Sequence, residues 1–121
     1  MNIAVMTGTL SSDPSCRVLP SGARVVSLEL STDGPDGARW SVPVAWVDAP
    51  DLVPFTAGDE VVVVGSVRRR FFRVAGVTQS RTEVVAELIV ASTDRRKVRT
   101  ALHRCASRLG ADPRRAVGSG R

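Results

Sequence analysis

Residues 58–90, GDEVVVVGSVRRRFFRVAGVTQSRTEVVAELIV, contain two apolar runs separated by a turn. Gly58 and Asp59 open the first run, which predicts a strand over residues 60–72, and Gly76 marks the turn that follows it. The second run predicts a strand over residues 82–90. The stretch therefore favours an all-β fold.

The preceding half of the chain repeats the same pattern of short strands and turns. The segment DGPDG at residues 33–37 is a strong reversal signal, and Pro50 and Pro54 restrict residues 48–57 to a loop or at most one helical turn. Five strands with almost no helix between them favour a small closed barrel or a sandwich, because a flat sheet would leave one apolar face uncovered. The three additional strands are predicted over residues 3–10, 25–31 and 39–47.

The last part of the chain changes to a helical pattern. Apolar residues recur at helical spacing behind Thr93 and Asp94, and the pattern ends at Gly110 and Pro113. We therefore predict a barrel domain over residues 1–92, an amphipathic helix over 93–110 and a disordered basic tail over 111–121. The polar face of the helix is either solvated or adds affinity for phosphates; it carries Arg95, Arg96, Lys97, Arg99, Arg104 and Arg108.

Composition narrows the class of protein further. The chain has 121 residues, which is one domain, and it has neither a long apolar run nor a secretion-type leader, so we expect a cytoplasmic protein without membrane contact. Cys16 and Cys105 are expected to stay reduced. The net charge of +5 is uneven: residues 1–93 carry eight Arg against ten acidic residues, whereas residues 94–121 carry nine basic against two acidic residues. Any polyanion bound by the barrel must therefore meet locally clustered Arg side chains.

The sequence offers little for an enzyme. The one histidine, His103, lies beside the apolar stripe of the predicted helix without an evident catalytic partner. No Gly-rich phosphate loop, paired carboxylates or metal-ligand cluster is recognisable. We therefore expect no catalysis, no cofactor and no metal.

The few aromatic residues lie where a single strand of nucleic acid would need them. Trp40 and Trp46 share one predicted strand, and Phe71-Phe72 follow Arg68-Arg69-Arg70 on another. By strand alternation Arg68 and Arg70 lie on the side of Phe72, whereas Phe71 takes the opposite side and is expected in the core or at a subunit interface. For the two tryptophans, base stacking and core packing both remain open. They lie on the same side of the strand as its apolar residues, which favours the core, but Pro43 suits a bulge that would interrupt this alternation.

A family resemblance follows from the order of short motifs along residues 1–90. The chain resembles the bacterial single-stranded DNA-binding proteins in the motifs Met1-Asn2, Gly8-Thr9-Leu10, Asp13-Pro14, Arg17, Leu19-Pro20-Ser21-Gly22, Trp40 through Trp46, Gly58-Asp59-Glu60-Val61, Gly65, Val67-Arg68, Arg70, Phe72 and Thr82-Glu83-Val84-Val85.

This resemblance implies a five-stranded oligonucleotide-binding (OB) fold that coats single-stranded DNA, usually as a homotetramer assembled from two dimers. Its members place base-stacking aromatics at the positions of Trp40, Trp46 and Phe72. The expected role is sequence-independent protection of single strands in replication, recombination or repair, in the nucleoid. We predict phosphate contacts from five arginines: Arg68, Arg70, Arg39, Arg24 and Arg81.

The chain also departs from the family pattern. The connection at residues 33–38 is short and lacks another stacking aromatic. The main family members end in an acidic, hydrophobic tip that recruits other proteins, whereas the last acidic residue of this chain is Asp112 and basic residues follow it. We therefore expect an accessory member without such recruitment. The alternative is an OB-fold protein-interaction or RNA-binding module of the kind found in primosomal assemblies.

Overall fold

The structure is a computed structural model that describes residues 1–110. All five predicted strands are present, and the predicted C-terminal helix is observed. A short additional strand, β2, was not predicted, and residues 111–121, predicted to be a disordered tail, lie outside the described residues. In chain order the elements are β1 (Ala4–Leu10), β2 (Ser15–Val18), β3 (Arg24–Asp33), β4 (Arg39–Val47), β5 (Glu60–Val74), β6 (Val77–Ala91) and α1 (Arg95–Leu109).

The sheet closes on itself. Its strand order is β1-β5-β6-β4-β3, and β3 pairs back to β1 through Thr9 and Leu10, while β2 is an extra strand on the outer edge of β3. β4 and β6 run parallel, and every other pair of described strands is antiparallel. This five-stranded barrel with one appended helix is the predicted OB fold.

Two glycines permit the close approaches that closure requires. A Cβ on Gly8 would lie 2.6 Å from the carbonyl oxygen of Ser31, and one on Gly65 would lie 2.0 Å from that of Val85. Both contacts are with neighbouring backbone, so a side chain at either position would push two strands apart.

A β-bulge in β6 changes which side chains face inward. Val64 pairs with Leu88 and Gly65 with Ala86, which leaves Glu87 as an extra residue between them. As a result Ala86 and Ile89 both belong to the barrel core, whereas Leu88 faces outward beneath the helix.

The core fills the barrel with alternate residues from each strand. On β5, Val61 and Val63 point inward, and Val64 points outward beneath the helix. The largest fully buried side chains are Leu10, Val26, Leu30, Val61 and Val63. β-branched valines suit this position because they pack closely on a pleated surface.

Helix α1 rests on the outside of the barrel through a narrow stripe. Asp94 caps its first turn by accepting a hydrogen bond from the backbone N–H of Lys97 at 3.2 Å. Ala101 and Cys105 are buried against Val64, with Ile3 and Leu88 beside them. Leu102 and Leu109 remain exposed.

The two cysteines are both free: Cys16 is exposed on β2, and Cys105 is buried on the side of α1 that faces the barrel. Residues 48–59 form no helix between β4 and β5, in agreement with the two prolines in this segment. Within residues 1–110 no helix has the length and apolar character needed to span a membrane.

Candidate nucleic-acid interface

The outer halves of β5 and β6 form a hairpin arm, defined here as residues 66–82. β5 pairs with β1 only as far as Gly65, and β6 pairs with β4 only from Val84 onward, so within the arm the two strands pair only with each other. Eight residues of strand beyond Ser66 make the arm about 25 Å long. It carries five Arg and no acidic residue.

The arm has two faces with different side chains. Arg68, Arg70 and Phe72 lie on one face, and Arg69 and Phe71 lie on the other, as strand alternation predicted. We name them the Phe72 face and the Phe71 face. On each face an Arg stacks on the ring two residues ahead: the guanidinium carbon lies 5.1 Å from the ring centre for Arg70 on Phe72, and 5.5 Å for Arg69 on Phe71.

Phe71 does not lie in the core, which corrects one of the two places predicted for it. Its side chain is 65% exposed. The arm has left the barrel before residue 71, so no layer of the structure covers this ring. The prediction of a subunit interface stays a prediction.

A buried carboxylate organises the base of the Phe72 face. Glu83 is 5% exposed, and its Oε2 atom accepts a hydrogen bond from Arg68 and lies 3.5 Å from Nε of Arg70. Because Glu83 lies opposite Arg68 across β5 and β6, sequence reasoning identified the arginines but missed the acid between them. Glu83 thus holds two guanidinium groups on one side of the arm.

The other predicted phosphate-binding arginines are also paired with acids of the chain. Arg81 donates to Glu29 at 2.8 Å, and Ser41 donates to the second oxygen of that carboxylate at 3.0 Å. Arg39 donates to Asp33 at 2.8 Å and to the hydroxyl of Ser31. Arg39 and Asp33 lie on adjacent strands, whereas Arg81 and Glu29 lie on strands with β4 between them, and such contacts across a sheet are not visible in sequence spacing.

Arg24 lies apart from the rest of the site. Val44 of β4 lies beside Val84 of the parallel β6, so the start of β4 and the arm share one end of the barrel. Arg24 lies at the other end, because the next residue, Val25, pairs with Val47 at the end of β4. Arg24 forms an ion pair with Asp51 at 3.1 Å. The Cys16 side chain, and to a smaller extent Asp51, raises the pKa of Arg24. The structure therefore does not bring Arg24 together with the arm.

The two tryptophans occupy different environments on the same strand side. Pairing between β3 and β4 runs without a register shift through Pro43, so parity is unbroken from Trp40 to Trp46. Trp46 is 6% exposed and packs in the core, with its ring centre 6.1 Å from that of Phe55. The prediction that Trp46 stacks on bases is therefore corrected: no face of its ring is free, because the strand's inward side lies within the barrel at this position.

Trp40 lies beyond the end of the barrel core and is 52% exposed. Its ring packs over Gly34 in the turn between β3 and β4, where a Cβ would lie 2.5 Å from Cε2 of the ring. One part of the ring is thus supported by backbone, and the remainder is open to solvent. This is the geometry of a stacking platform.

A groove of about 240 Å³ runs along the outer surface beside the Phe72 face. It lies between β2 and the outward side of β3, β4 and β6, the surface that OB folds use for oligonucleotides. Its charged lining is balanced between Asp13, Glu29 and Glu83 and the arginines Arg17, Arg70 and Arg81.

Sequence reasoning did not select Arg69 and Arg73, although both are in the basic arm. Arg69 donates to the hydroxyl of Ser80 at 3.2 Å, and Arg73 donates to the carbonyl of Gly76 at 2.8 Å. No acidic side chain in the described part of the chain forms an ion pair with either of them. Strand alternation could have singled them out: it places Arg69 and Arg73 on the face opposite to Glu83, the acid next to the arm, so Glu83 does not pair with them.

The strand order and the closure define the class of this protein as an OB-fold barrel with an outer helix. The chain matches no model of a known protein family, and no curated protein sequence matches it. Among residues 1–110 no group of three or more His, Cys, Asp or Glu side chains is arranged to hold a metal ion.

Proposed function

We propose that this barrel binds single-stranded DNA without sequence preference, through stacking of bases on exposed rings and contacts of arginines with phosphates. The observation that carries the proposal is the hairpin arm, which leaves the barrel with five Arg, two Phe and no acidic residue. Flat rings beside cations are the two elements that a sequence-independent binder of single strands requires.

The proposed path of the strand uses residues that lie at one end of the barrel. Arg70 and Arg81 line the groove on the outer sheet surface, and Phe72 and Arg68 continue the same face of the arm. Trp40 supplies a second ring on the inward side of β4, beyond the end of the barrel core. Each stacked base contributes about 1–3 kcal/mol by alanine substitution, so two rings with several phosphate contacts support useful affinity. Trp46 and Arg24 have no role in this proposal.

The ion pairs of these arginines are compatible with phosphate binding. Arg81 and Glu29 are both partly exposed, and an exposed pair contributes only about 0–1 kcal/mol. Arg68 is about half exposed although its partner Glu83 is buried. A guanidinium carries five N–H donors, so it binds a carboxylate on one side and a phosphate on another. In this proposal Glu83 and Glu29 orient the arginines and lower the total positive charge of the site.

The proposal includes self-association, as dimers or as a tetramer built from them. Two strand edges support it: residues 4–8 of β1 have no strand partner on the side away from β5, and β2 has none on the side away from β3, within the described chain. Such edges readily pair with another copy. The proposed setting is the bacterial nucleoid, in replication, recombination or repair, where single strands are exposed.

The test is a titration of a fluorescently labelled thymidine oligonucleotide of about 35 bases, followed by anisotropy at low and high salt. Intrinsic fluorescence is recorded in the Trp46→Phe variant, where Trp40 is the sole tryptophan. We expect saturable binding that weakens with salt, with quenching of Trp40, and weaker binding of the matching duplex. Tighter binding of RNA favours the RNA-binding alternative, and no anisotropy change with any nucleic acid contradicts the proposal.

A further inference from the structure

We propose that the Phe71 face of the hairpin arm is a second strand-binding surface, which binds a different segment of single-stranded nucleic acid from the one on the Phe72 face. This inference rests on the proposed function and extends it. It concerns Arg69, Phe71 and Arg73, none of which was selected from the sequence as a binding residue.

The geometry of the arm separates the two surfaces. The pairing of β5 with β6 shows no register shift between Gly65 and Val74, so successive side chains alternate strictly between the faces. Phe71 and Phe72 therefore present their rings on opposite sides of one two-stranded ribbon. A base stacked on one ring does not reach the other, because the backbone of the ribbon lies between them.

The charges of the two surfaces differ in a way that favours phosphate on the Phe71 face. Arg68 and Arg70 share the carboxylate of Glu83, whereas Arg69 and Arg73 donate only to neutral oxygens, those of Ser80 and Gly76. The positive charge of Arg69 and Arg73 is therefore not balanced by any acidic partner in residues 1–110. An unbalanced pair of cations beside a ring is complementary to the phosphates and bases of a single strand.

The opposite strand of the ribbon supports the same ligand. Across from Arg69, Phe71 and Arg73 lie Thr82, Ser80 and Thr78, three hydroxyl side chains that give hydrogen bonds to a polyanion without repelling it. Phe71 itself is 65% exposed. An apolar ring held open between two cations is unsuited to packing against an apolar partner surface, since both guanidinium groups would lose water there.

The experiment counts how many short oligonucleotides one chain binds. A thymidine oligonucleotide of about eight bases, within the site size of one OB fold, is titrated into the full chain and the saturated complexes are counted by native mass spectrometry. We expect two oligonucleotides per chain for the unchanged protein and one per chain for Phe71→Ala. The matched variant Phe72→Ala loses the same ring atoms on the opposite face of the arm, and it is also expected to bind one oligonucleotide per chain.

The outcomes separate this inference from the proposed function. One oligonucleotide per chain in the unchanged protein, unaltered by Phe71→Ala, overturns the second surface and leaves single-strand binding intact. No bound oligonucleotide in any variant overturns both. A change in the number of protein chains per assembly in Phe71→Ala, measured by light scattering without nucleic acid, assigns the ring to a contact between copies and also overturns the inference.

A second measurement tests whether the two surfaces bind separate strands. Two oligonucleotides, one with a donor dye and one with an acceptor dye, are mixed with the protein, and energy transfer between them is recorded. We expect transfer with the unchanged protein and a loss of at least half of it with Arg69→Gln plus Arg73→Gln, which leaves both rings in place. Equal transfer in the two proteins contradicts the proposal. Thermal unfolding by circular dichroism establishes that each variant is folded.

Discussion

The carboxylate of Glu83 lies 3.5 Å from Nε of Arg70, and that nitrogen is buried without any hydrogen-bond partner in the described structure. Glu83 also binds Arg68, so one buried acid restrains two of the cations proposed to meet phosphates. We therefore expect the stability of the fold and the proposed binding of single strands to depend on Glu83 with opposite signs.

Replacing that acid separates the two effects. Glu83→Gln is expected to lower the free energy of unfolding by about 1–3 kcal/mol, because a charged hydrogen bond to partly buried guanidinium groups is lost. The same variant frees two cations, so affinity for single strands at low salt is expected to rise and its salt dependence to steepen by about 0.7 per added phosphate contact. Urea unfolding and anisotropy measure the two quantities. Glu60→Gln, which removes an exposed acid of the barrel, is the control, and equal salt slopes in the two variants contradict the prediction.

The two tryptophans are expected to respond oppositely to truncation. Trp46→Ala leaves a cavity in the core and is expected to cost about 3–5 kcal/mol of stability. Trp40→Ala removes a ring that is half exposed, so stability is expected to change little, while binding weakens by about 1–3 kcal/mol, or about 5- to 150-fold. Chemical denaturation and oligonucleotide titration on both variants test this. Loss of cooperative unfolding in Trp40→Ala would place that ring in a structural role.

Gly65 is expected to tolerate no side chain. In Gly65→Ala the new methyl group meets the carbonyl of Val85, which belongs to the backbone of the adjoining strand and has no room to rotate away. We expect a loss of about 1–3 kcal/mol or more, measured by thermal unfolding. Gly110→Ala is the comparison, since its nearest contact is an ordinary 3.4 Å. Similar midpoints for the two variants would mean that the strands at Gly65 yield more easily than the structure indicates.

The two thiols are expected to differ in reactivity. Cys16 is exposed on β2, whereas Cys105 is covered where α1 meets the barrel. A thiol reagent such as dithionitrobenzoate is therefore expected to modify one cysteine per native chain quickly and the second only after unfolding. In Cys16→Ser the fast phase should disappear. Rapid reaction of both thiols in the native protein would show that α1 leaves the barrel readily.

The sequence predicted the barrel because local signals agree with the closed sheet. Turn residues at 33–37 and around Gly76 lie at observed hairpins, and the helical spacing after Asp94 matches α1. The short strand β2 escaped prediction because its four residues form a strand only by pairing with β3, a contact that no local pattern encodes.

The site was predicted less completely for a physical reason. Residue types and alternation located Trp40, Phe72 and the arginines of the arm. They did not show that Glu83 and Glu29 pair with arginines of the arm, or that Asp33 pairs with Arg39 on β4, because such partners depend on how the strands are placed in the sheet. Trp46 was misassigned because alternation shows which face of β4 a residue is on, but not where along β4 the barrel ends. Both rings are on the inward face, yet Trp46 lies within the barrel and Trp40 lies beyond its end.

The extra residue at Glu87 sets the phase of everything that follows it in β6. If Glu87 were paired as an ordinary strand residue, the alternation that places Ala86 inward would continue with Leu88, and Ile89 would turn toward the solvent side. Deleting Glu87 would make Ala86 and Leu88 consecutive, so Leu88 would stay outward beneath the helix and Ile89 would stay inward, and only the bulge would be lost. Strand β6 thus has two segments joined at Glu87: even-numbered residues face inward up to Ala86, and odd-numbered residues face inward from Ile89 onward. The first segment continues into the arm, and the second carries the surface on which the helix packs.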